Sequence, residues 1–136
     1  MHQTVLGFDF GLRRIGVAVG QAITQSARPL TILNAKQGVP HWLEIKKLIL
    51  EWGADALIVG LPLNMDGTEQ PMTVRARAFG QQLQTHFQRP VFFVDERLTT
   101  IAAKDEMHTH LKGAARFDRV DSVSAKLIVE SWFGTL

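Results

Sequence analysis

The 136-residue sequence predicts a single α/β domain whose mixed five-stranded sheet carries helices on both faces. Three apolar segments follow one another near the N-terminus. Because the connections between them are too short for crossover helices, these strands are expected to pair antiparallel. Helical and strand-like segments then alternate, a pattern typical of parallel strands joined by helices. The expected element order is β-β-β-α-β-α-β-α, with one further helix at the end.

The first strand, residues 4–10, contains one carboxylate among apolar and small residues. Alternation places Phe8 on one face and Gly7 and Asp9 on the other. A carboxylate that is buried without a partner is costly. We therefore expect a partner for Asp9.

The next two strands complete an antiparallel meander. A short turn opened by Gly11 leads to a strand at residues 15–20, in which large and small residues alternate. Residues 28–33 are the third strand. Both connections are too short for anything but local pairing.

The first helix is expected to begin at Pro40, since proline is well suited to the first helical turn. Apolar residues then recur at helical spacing over residues 42–52, and Gly53 ends the helix. Residues 56–61 form a nearly continuous apolar run, as expected of a strand that is covered on both faces.

The second half continues the alternation. A loop at residues 62–71 turns at Asp66 and Gly67, and residues 72–87 have the apolar spacing of a helix. Residues 91–94, with the sequence VFFV, are the last strand.

The C-terminal part is expected to be helical. A helix capped by one of two threonines is predicted at residues 99–111, followed by a loop or frayed segment at residues 112–117. The last helix is predicted to begin near Asp118 or Val120.

Composition narrows the class of protein. The chain has no cysteine, which excludes disulfides and thiolate metal sites, and its net charge is only +2. The longest apolar run, residues 56–63, is far too short to span a bilayer. Nothing resembles a secretory signal. We therefore expect a cytoplasmic protein without a membrane partner.

Five carboxylates fall where separate elements begin or end. Asp9 lies near the end of the first strand, Asp95 and Glu96 follow the last strand, and Asp118 and Asp121 flank the start of the final helix. Converging carboxylates repel one another, and a bound divalent cation such as Mg²⁺ removes that cost. Two such ions can activate a water and stabilise the leaving oxygen in phosphodiester hydrolysis.

Structural alternatives exist for the strand-end acids. Asp9 could pair with Arg13 or Arg14 across the turn, and Asp95 could cap a helix or pair with Arg97. Neither arrangement requires a metal. Both remain open from the sequence.

The other three acids have equally ordinary interpretations. Glu96 could be a surface acid at a strand end. Asp118 could be an N-cap, and Asp121 could interact favourably with the helix dipole.

Four motifs together resemble the YqgF-type proteins, described as pre-16S rRNA nucleases or Holliday-junction-resolvase-like proteins with a ribonuclease H-like fold. The motifs are FDFGLRRIGVAVG at residues 8–20, IVGLPLNMDGTEQ at 58–70, DERLTT at 95–100 and RVDSVSA at 119–125. The resemblance implies that Asp9, Glu96 and Asp121 are the active-site acids. It also implies a substrate-contacting rim that includes Asn64.

The sequence departs from the resolvases at one important place. Those proteins usually carry a glutamate at the end of the fourth strand, where this chain has Leu61 and Pro62. Glu96 supplies the acid one strand later, so junction cleavage is not carried over. Arg119 replaces the lysine common in the family and keeps the charge but not the geometry.

The sequence thus predicts a metal-dependent nuclease that acts on structured RNA. One or two Mg²⁺ or Mn²⁺ ions would be held by Asp9, Glu96 and Asp121, supported by Asp118 or Asp95. Nucleic-acid contacts are assigned to Arg14, Arg97, Asn64 and Arg119. The resemblance implies precursor 16S rRNA as substrate, within a small-subunit precursor. The alternatives are a resolvase of branched DNA and a non-catalytic module that binds nucleic acid or the ribosome.

Overall fold

The computed structural model describes residues 2–97 and 114–136, with side chains for residues 2–97 and 122–136. Its sheet has the strand order β4-β3-β2-β1-β5-β6. The elements are β1 Thr4–Asp9, β2 Arg14–Gln21, β3 Ser26–Lys36, β4 Val39–Pro40, α1 Trp42–Trp52, β5 Ala56–Leu61, α2 Pro71–Phe87, β6 Val91–Asp95 and α3 Ala114–Phe133.

Strands β1, β2 and β3 form the predicted antiparallel meander. Phe8 of β1 pairs with Val17 of β2, and Asp9 pairs with Gly16. Arg14 pairs with Asn34 of β3. The short connections between them place β1, β2 and β3 next to one another in the sheet.

The parallel half of the sheet is built on β1. Phe8 pairs with Val59 of β5, and Val59 pairs with Phe93 of β6. The carboxyl ends of β1, β5 and β6 therefore meet at one edge. The mixed sheet, antiparallel first and then parallel, is confirmed.

The sheet has six strands rather than the predicted five, because a short strand β4 follows β3. Gln37 and Gly38 have φ values of 51° and 82°, and they form a two-residue turn between the paired Lys36 and Val39. The prediction that Pro40 opens a helix was wrong. Pro40 ends β4, where a missing N–H is tolerated at the margin of a sheet, and α1 begins at Trp42.

The last helix begins earlier than predicted. Residues 114–117 are already helical, ahead of the predicted start near Asp118 or Val120, so part of the expected loop at residues 112–117 is helical. Alanine is the best helix former, so Ala114 and Ala115 favour this extension. The helix predicted at residues 99–111 lies outside the described residues.

Helices cover both faces of the sheet, as predicted. On one face, α1 and α2 pack on large strand residues; this core includes Leu6, Phe8, Val17, Ile45, Ile49, Phe79 and Leu83. On the other face, α3 packs on smaller strand residues; this core includes Val5, Ala18, Ala56, Ile58, Ala125, Ile128 and Val129. Within the described ranges, no helix is long and apolar enough to cross a bilayer.

Helix α3 lies unusually close to the sheet because glycines line the strands beneath it. A Cβ on Gly7 would collide with the side chain of Val129 and lie 3.1 Å from the carbonyl oxygen of Ala125. A Cβ on Gly20 would also collide with Val129. The small residues predicted on this face of β1 and β2 are therefore the surface on which α3 rests.

Candidate active site

The carboxyl edge of the parallel strands brings two predicted acids into one neighbourhood. Asp9 is the last residue of β1, and Glu96 immediately follows β6. The backbone N–H of Glu96 donates to the carbonyl oxygen of Leu61 at 3.2 Å, which fixes the end of β6 against β5. Only β5 separates β1 from β6, so the two backbones lie about 10 Å apart, or two strand spacings.

The side chain of Glu96 spans part of that gap. A Cβ on Gly60 would collide with Glu96 Oε2 and with the side chain of Ile128. Continuing the β1–β5 register from the Phe8–Val59 pair sets Gly60 beside Asp9. The carboxylate of Glu96 thus lies over the residue that neighbours Asp9.

Asp9 faces the same side of the sheet. It alternates in β1 with Val5 and Gly7, both of which meet α3. Asp9 and Glu96 are each half-buried. Two carboxylates from separate strands therefore share the α3 face at one edge.

The surroundings of Glu96 disfavour its charge. Burial, and to a smaller degree the negative charge of Asp95, raises the pKa of Glu96 to about 7. A nearby cation stabilises the charged form of such a group. The carboxylate oxygens of Asp9 and Glu96 are also the hard donors that Mg²⁺ and Mn²⁺ prefer. These two residues therefore fit a divalent ion.

Asp95 adopts the arrangement that the sequence left open as an alternative. Its carboxylate accepts the backbone N–H of Arg97 at 3.0 Å and pairs with Nη2 of Arg97 at 2.5 Å. The hydrogen bonds from Arg97 hold the pKa of Asp95 below its ordinary value. Asp95 therefore stays charged and engaged with Arg97 beside Glu96.

Asn64 lies in the rim loop, residues 62–70, which follows β5 at the same edge. Its amide Nδ2 donates to Thr68 Oγ1 at 3.0 Å, and the backbone N–H of Thr68 donates to Asp66 Oδ1 at 3.0 Å. Gly67 completes the turn with a φ of 88°. Asn64 itself is exposed. The loop therefore presents a locally braced tip next to the acids.

Arg14 reaches this neighbourhood from the other side. It begins β2 at the edge where β1 ends, and it is exposed. Together with Asn34 and Ser122 it lines an open groove of about 440 Å³. The groove is also lined by Ile32, which pairs with Gly16, and Gly16 in turn pairs with Asp9.

Three predicted residues of the last motif fall on the first part of α3. Asp118, Arg119 and Asp121 are helical, but their side chains lie outside the described residues. Asp118 is not an N-cap, because the helix begins four residues earlier. Position 121 lies one turn before Ala125, whose carbonyl faces Gly7. The helix thus carries this position towards the edge that holds Asp9.

The candidate metal set is incomplete within the described side chains. Among them, no three histidine or acidic residues form a group that could hold an ion. Asp9 and Glu96 provide two carboxylates. The side chain of the third predicted acid, Asp121, lies outside the described residues. The sequence also did not reveal the role of Gly60, although its place among larger apolar residues in β5 marks it as a site of close approach.

Comparison with known proteins identifies relatives along nearly the whole chain. Residues 3–135 match the family described as "RuvX: Holliday junction resolvase". The chain is 52% identical to a Haemophilus ducreyi protein named "Putative pre-16S rRNA nuclease", covering 98% of this chain and 97% of that protein. It is 56% identical to a Shewanella oneidensis protein of the same name, covering 96% and 94%.

Solved structures confirm the ribonuclease H-like fold. RuvC of T. thermophilus in complex with Holliday junction substrate aligns with a TM-score of 0.59 at 18% identity, covering 98% of both chains. The yeast mitochondrial Holliday junction resolvase Ydc2 aligns with a TM-score of 0.53 at 10% identity, covering 95% of this chain and 77% of that one. On the family match and the close relatives, the chain belongs to the RuvX family, also known as YqgF.

Proposed function

We propose that this protein is a metal-dependent nuclease that hydrolyses phosphodiester bonds in structured RNA, and that it matures the 5′ end of 16S rRNA precursors in the cytoplasm. The carboxylate of Glu96, held over Gly60 beside Asp9, is the observation that carries this proposal. Paired carboxylates on one face are suited to holding a divalent ion against a phosphate. The names of the close relatives support the choice of RNA.

Asp9 and Glu96 would hold one or two Mg²⁺ or Mn²⁺ ions, joined by Asp121 from α3 and supported by Asp118. The bound ion would supply activation of the attacking water and stabilisation of the leaving oxygen. Glu96 has to lose its proton to take part, and its raised pKa makes this step sensitive to pH near neutrality. Asp95 supports the site indirectly by holding Arg97 beside Glu96.

The remaining residues position the substrate. Arg14 is exposed and lines the groove between β3 and α3, where a guanidinium can bind a backbone phosphate through two hydrogen bonds. Arg119 would add a second positive charge from α3, and Asn64 would contact the substrate from the rim loop. The partner would be precursor RNA within an immature small subunit.

Resolution of branched DNA is the second candidate, favoured by the description of the matched family. Strand β5 ends at Leu61 and is followed by Pro62, without the glutamate expected there in a resolvase. Glu96 lies over Gly60 of the same strand and therefore places an acid near that position from the neighbouring strand. RNA remains the preferred substrate because the close relatives carry that name.

A cleavage assay separates these functions. The purified protein is incubated with end-labelled precursor 16S rRNA or with a four-way DNA junction, in Mn²⁺ or in EDTA. We expect RNA products in Mn²⁺ and none in EDTA. Retention of RNA without any product would indicate a non-catalytic binding module, and cleavage of the junction alone would indicate a resolvase.

A further inference from the structure

Arg97 connects two parts of the chain that meet at the candidate site. Its Nε and Nη2 atoms donate to the carboxylate of Asp95, at 2.9 and 2.5 Å to Oδ2. Its Nη1 atom donates to the backbone carbonyl of Met65 at 3.1 Å. One guanidinium thus joins the end of β6 to the tip of the rim loop, 32 residues away in sequence.

The tip of the rim loop is otherwise braced by short-range bonds. Asn64 donates its backbone N–H to the carbonyl of Thr68 and its side-chain amide to the hydroxyl of Thr68, and Gly67 donates its N–H to the carbonyl of Asn64 at 2.8 Å. At the foot of the loop, the hydroxyl of Thr73 donates to the carbonyl of Pro62. These bonds shape the tip but do not connect it to β6. Arg97 does, and it also lies 3.5 Å from where a Cβ on Gly67 would be.

The guanidinium of Arg97 already binds a carboxylate with the N–H groups that it would use to bind a phosphate. A carboxylate and a phosphate both take two parallel N–H donors from the fork of an arginine. In Arg97 that fork is directed at Asp95, while Nη1 is directed at Met65. The side chain of Arg97 is about one third exposed. Contact with a phosphate through the fork would require breaking the pair with Asp95.

We propose that Arg97 is a positioning residue, which acts through Asp95 and Met65 to hold the rim loop against the end of β6 beside Glu96. Its effect on cleavage rests on the nuclease function proposed above. This role replaces the direct phosphate contact expected from the sequence. Replacing Arg97 and replacing Asp95 should therefore loosen the rim loop to the same extent, since neither residue holds the loop without the other.

The first test measures amide hydrogen exchange in the free protein and does not depend on any activity. In Arg97→Ala and Asp95→Ala, the amides of Asn64, Gly67 and Thr68 are expected to exchange about tenfold faster, the scale of one lost charge-assisted hydrogen bond. The double variant should exchange no faster than the more affected single variant. Wild-type exchange rates at these amides in Arg97→Ala would overturn the proposal.

Arg77→Ala is the matched control. Arg77 of α2 pairs with Glu69 at 2.9 Å, which is also an arginine–carboxylate pair of the rim loop. Its guanidinium lies 5.7 Å from the ring centre of Phe93 in β6, but its hydrogen bond goes to Glu69 and not to the loop tip, residues 64–68. Because both partners are exposed, its loss should change exchange at residues 64–68 by less than about twofold. Equal acceleration in Arg77→Ala and Arg97→Ala would show general loosening of the loop and contradict a specific role.

The second test uses cleavage and binding of precursor RNA. A positioning role predicts that Arg97→Ala and Asp95→Ala lower kcat alike, and that Arg97→Lys, which keeps the charge but not the fork, does not restore it. The salt dependence of RNA binding should not change. A direct phosphate contact predicts instead a salt slope reduced by about one in Arg97→Ala and normal cleavage in Asp95→Ala.

The two tests fail independently. If the wild-type protein cleaves no RNA, the proposed function fails while the exchange experiment still reports on the loop. If cleavage is normal and the exchange rates of the variants are unchanged, the role of Arg97 fails while the nuclease stands.

Discussion

The two faces of the sheet belong to the same strands but carry side chains of different size. The face under α1 and α2 presents large, fully buried side chains, among them Leu6, Phe8 and Ile15. The face under α3 presents small residues, and Gly7 and Gly20 leave no room for even a methyl group. The first face thus provides most of the bulk of the core.

The face under α3 has smaller side chains, which let the helix lie closer to the strands. Because glycines let α3 approach the strands, the start of the helix is carried towards the edge where Asp9 and Glu96 lie. Gly60 likewise leaves space above its strand. That space lets a side chain approach, since the carboxylate of Glu96 lies over Gly60. The comparison indicates that stability depends mainly on one face and chemistry on the other.

The largest effect is expected from a single atom change on the α3 face. Asp9→Asn should abolish cleavage of precursor RNA in Mn²⁺, because an amide is a much poorer ligand for a hard cation than a carboxylate. The fold should be kept, as shown by circular dichroism and an unchanged thermal midpoint. Cleavage is measured with end-labelled RNA under single-turnover conditions.

Glu51→Gln is the control for that experiment. Glu51 is an exposed acid of α1, on the other face, and its neutralisation should leave the cleavage rate at the wild-type value. If Asp9→Asn cuts RNA as fast as Glu51→Gln does, the assignment of Asp9 is wrong.

The second prediction concerns the bulky face. Leu83 of α2 is fully buried, so Leu83→Ala should lower the free energy of unfolding by about 2–5 kcal/mol. The rate of cleavage per folded molecule should stay within about twofold of wild type, since α2 packs on the face opposite to the one that Asp9 and Glu96 share. Urea denaturation and an active-site-normalised rate check the two statements. A loss of activity matching that of Asp9→Asn would remove the distinction between the faces.

The third prediction tests the close approach of α3. Gly7→Ala should cost about 1–3 kcal/mol through overpacking against Val129 and should also slow cleavage, because α3 has to move away from β1. Gly53→Ala is the control. It costs about 1 kcal/mol at a φ of 62° but meets open space, so cleavage should be normal. Equal cleavage rates in the two variants would contradict the proposed coupling.

The smallest effect is a pH-dependent one. Since the pKa of Glu96 in the folded protein, about 7, exceeds its ordinary value of 4.5, the neutral carboxyl stabilises the fold fully below pH 4.5, and this contribution is lost as pH rises through 7. Glu96→Gln should therefore be more stable than wild type at pH 8, by about 1 kcal/mol, and equal at pH 4. Thermal melts across this range measure the difference. A constant difference at all pH values would show that charge burial is not its cause.

The sequence predicted the parts of this structure that depend on local pattern. Alternation placed Asp9 and Phe8 of β1 on opposite faces of the sheet. The apolar run at residues 56–61 identified a strand that is covered on both faces. The left-handed Gly53 ends α1 as expected, with a φ of 62°. Each of these features follows from neighbouring residues alone.

The remaining features depend on contacts that local pattern does not contain. Strand β4 is two residues long, and it exists because the turn at Gln37 and Gly38 returns the chain to β3. The partner of Arg97 at Met65 and the position of Glu96 over Gly60 join residues more than thirty apart in the chain. Sequence spacing could propose these residues as a site but could not show how they meet.

A crystal of the wild-type protein soaked in Mn²⁺ and examined by anomalous scattering tests the central claim most directly. We predict a peak contacted by the carboxylates of both Asp9 and Glu96, and its disappearance in Glu96→Gln crystals soaked in the same way. Manganese bound elsewhere, with none between these two side chains, would contradict the assignment of this edge of the sheet as the catalytic centre.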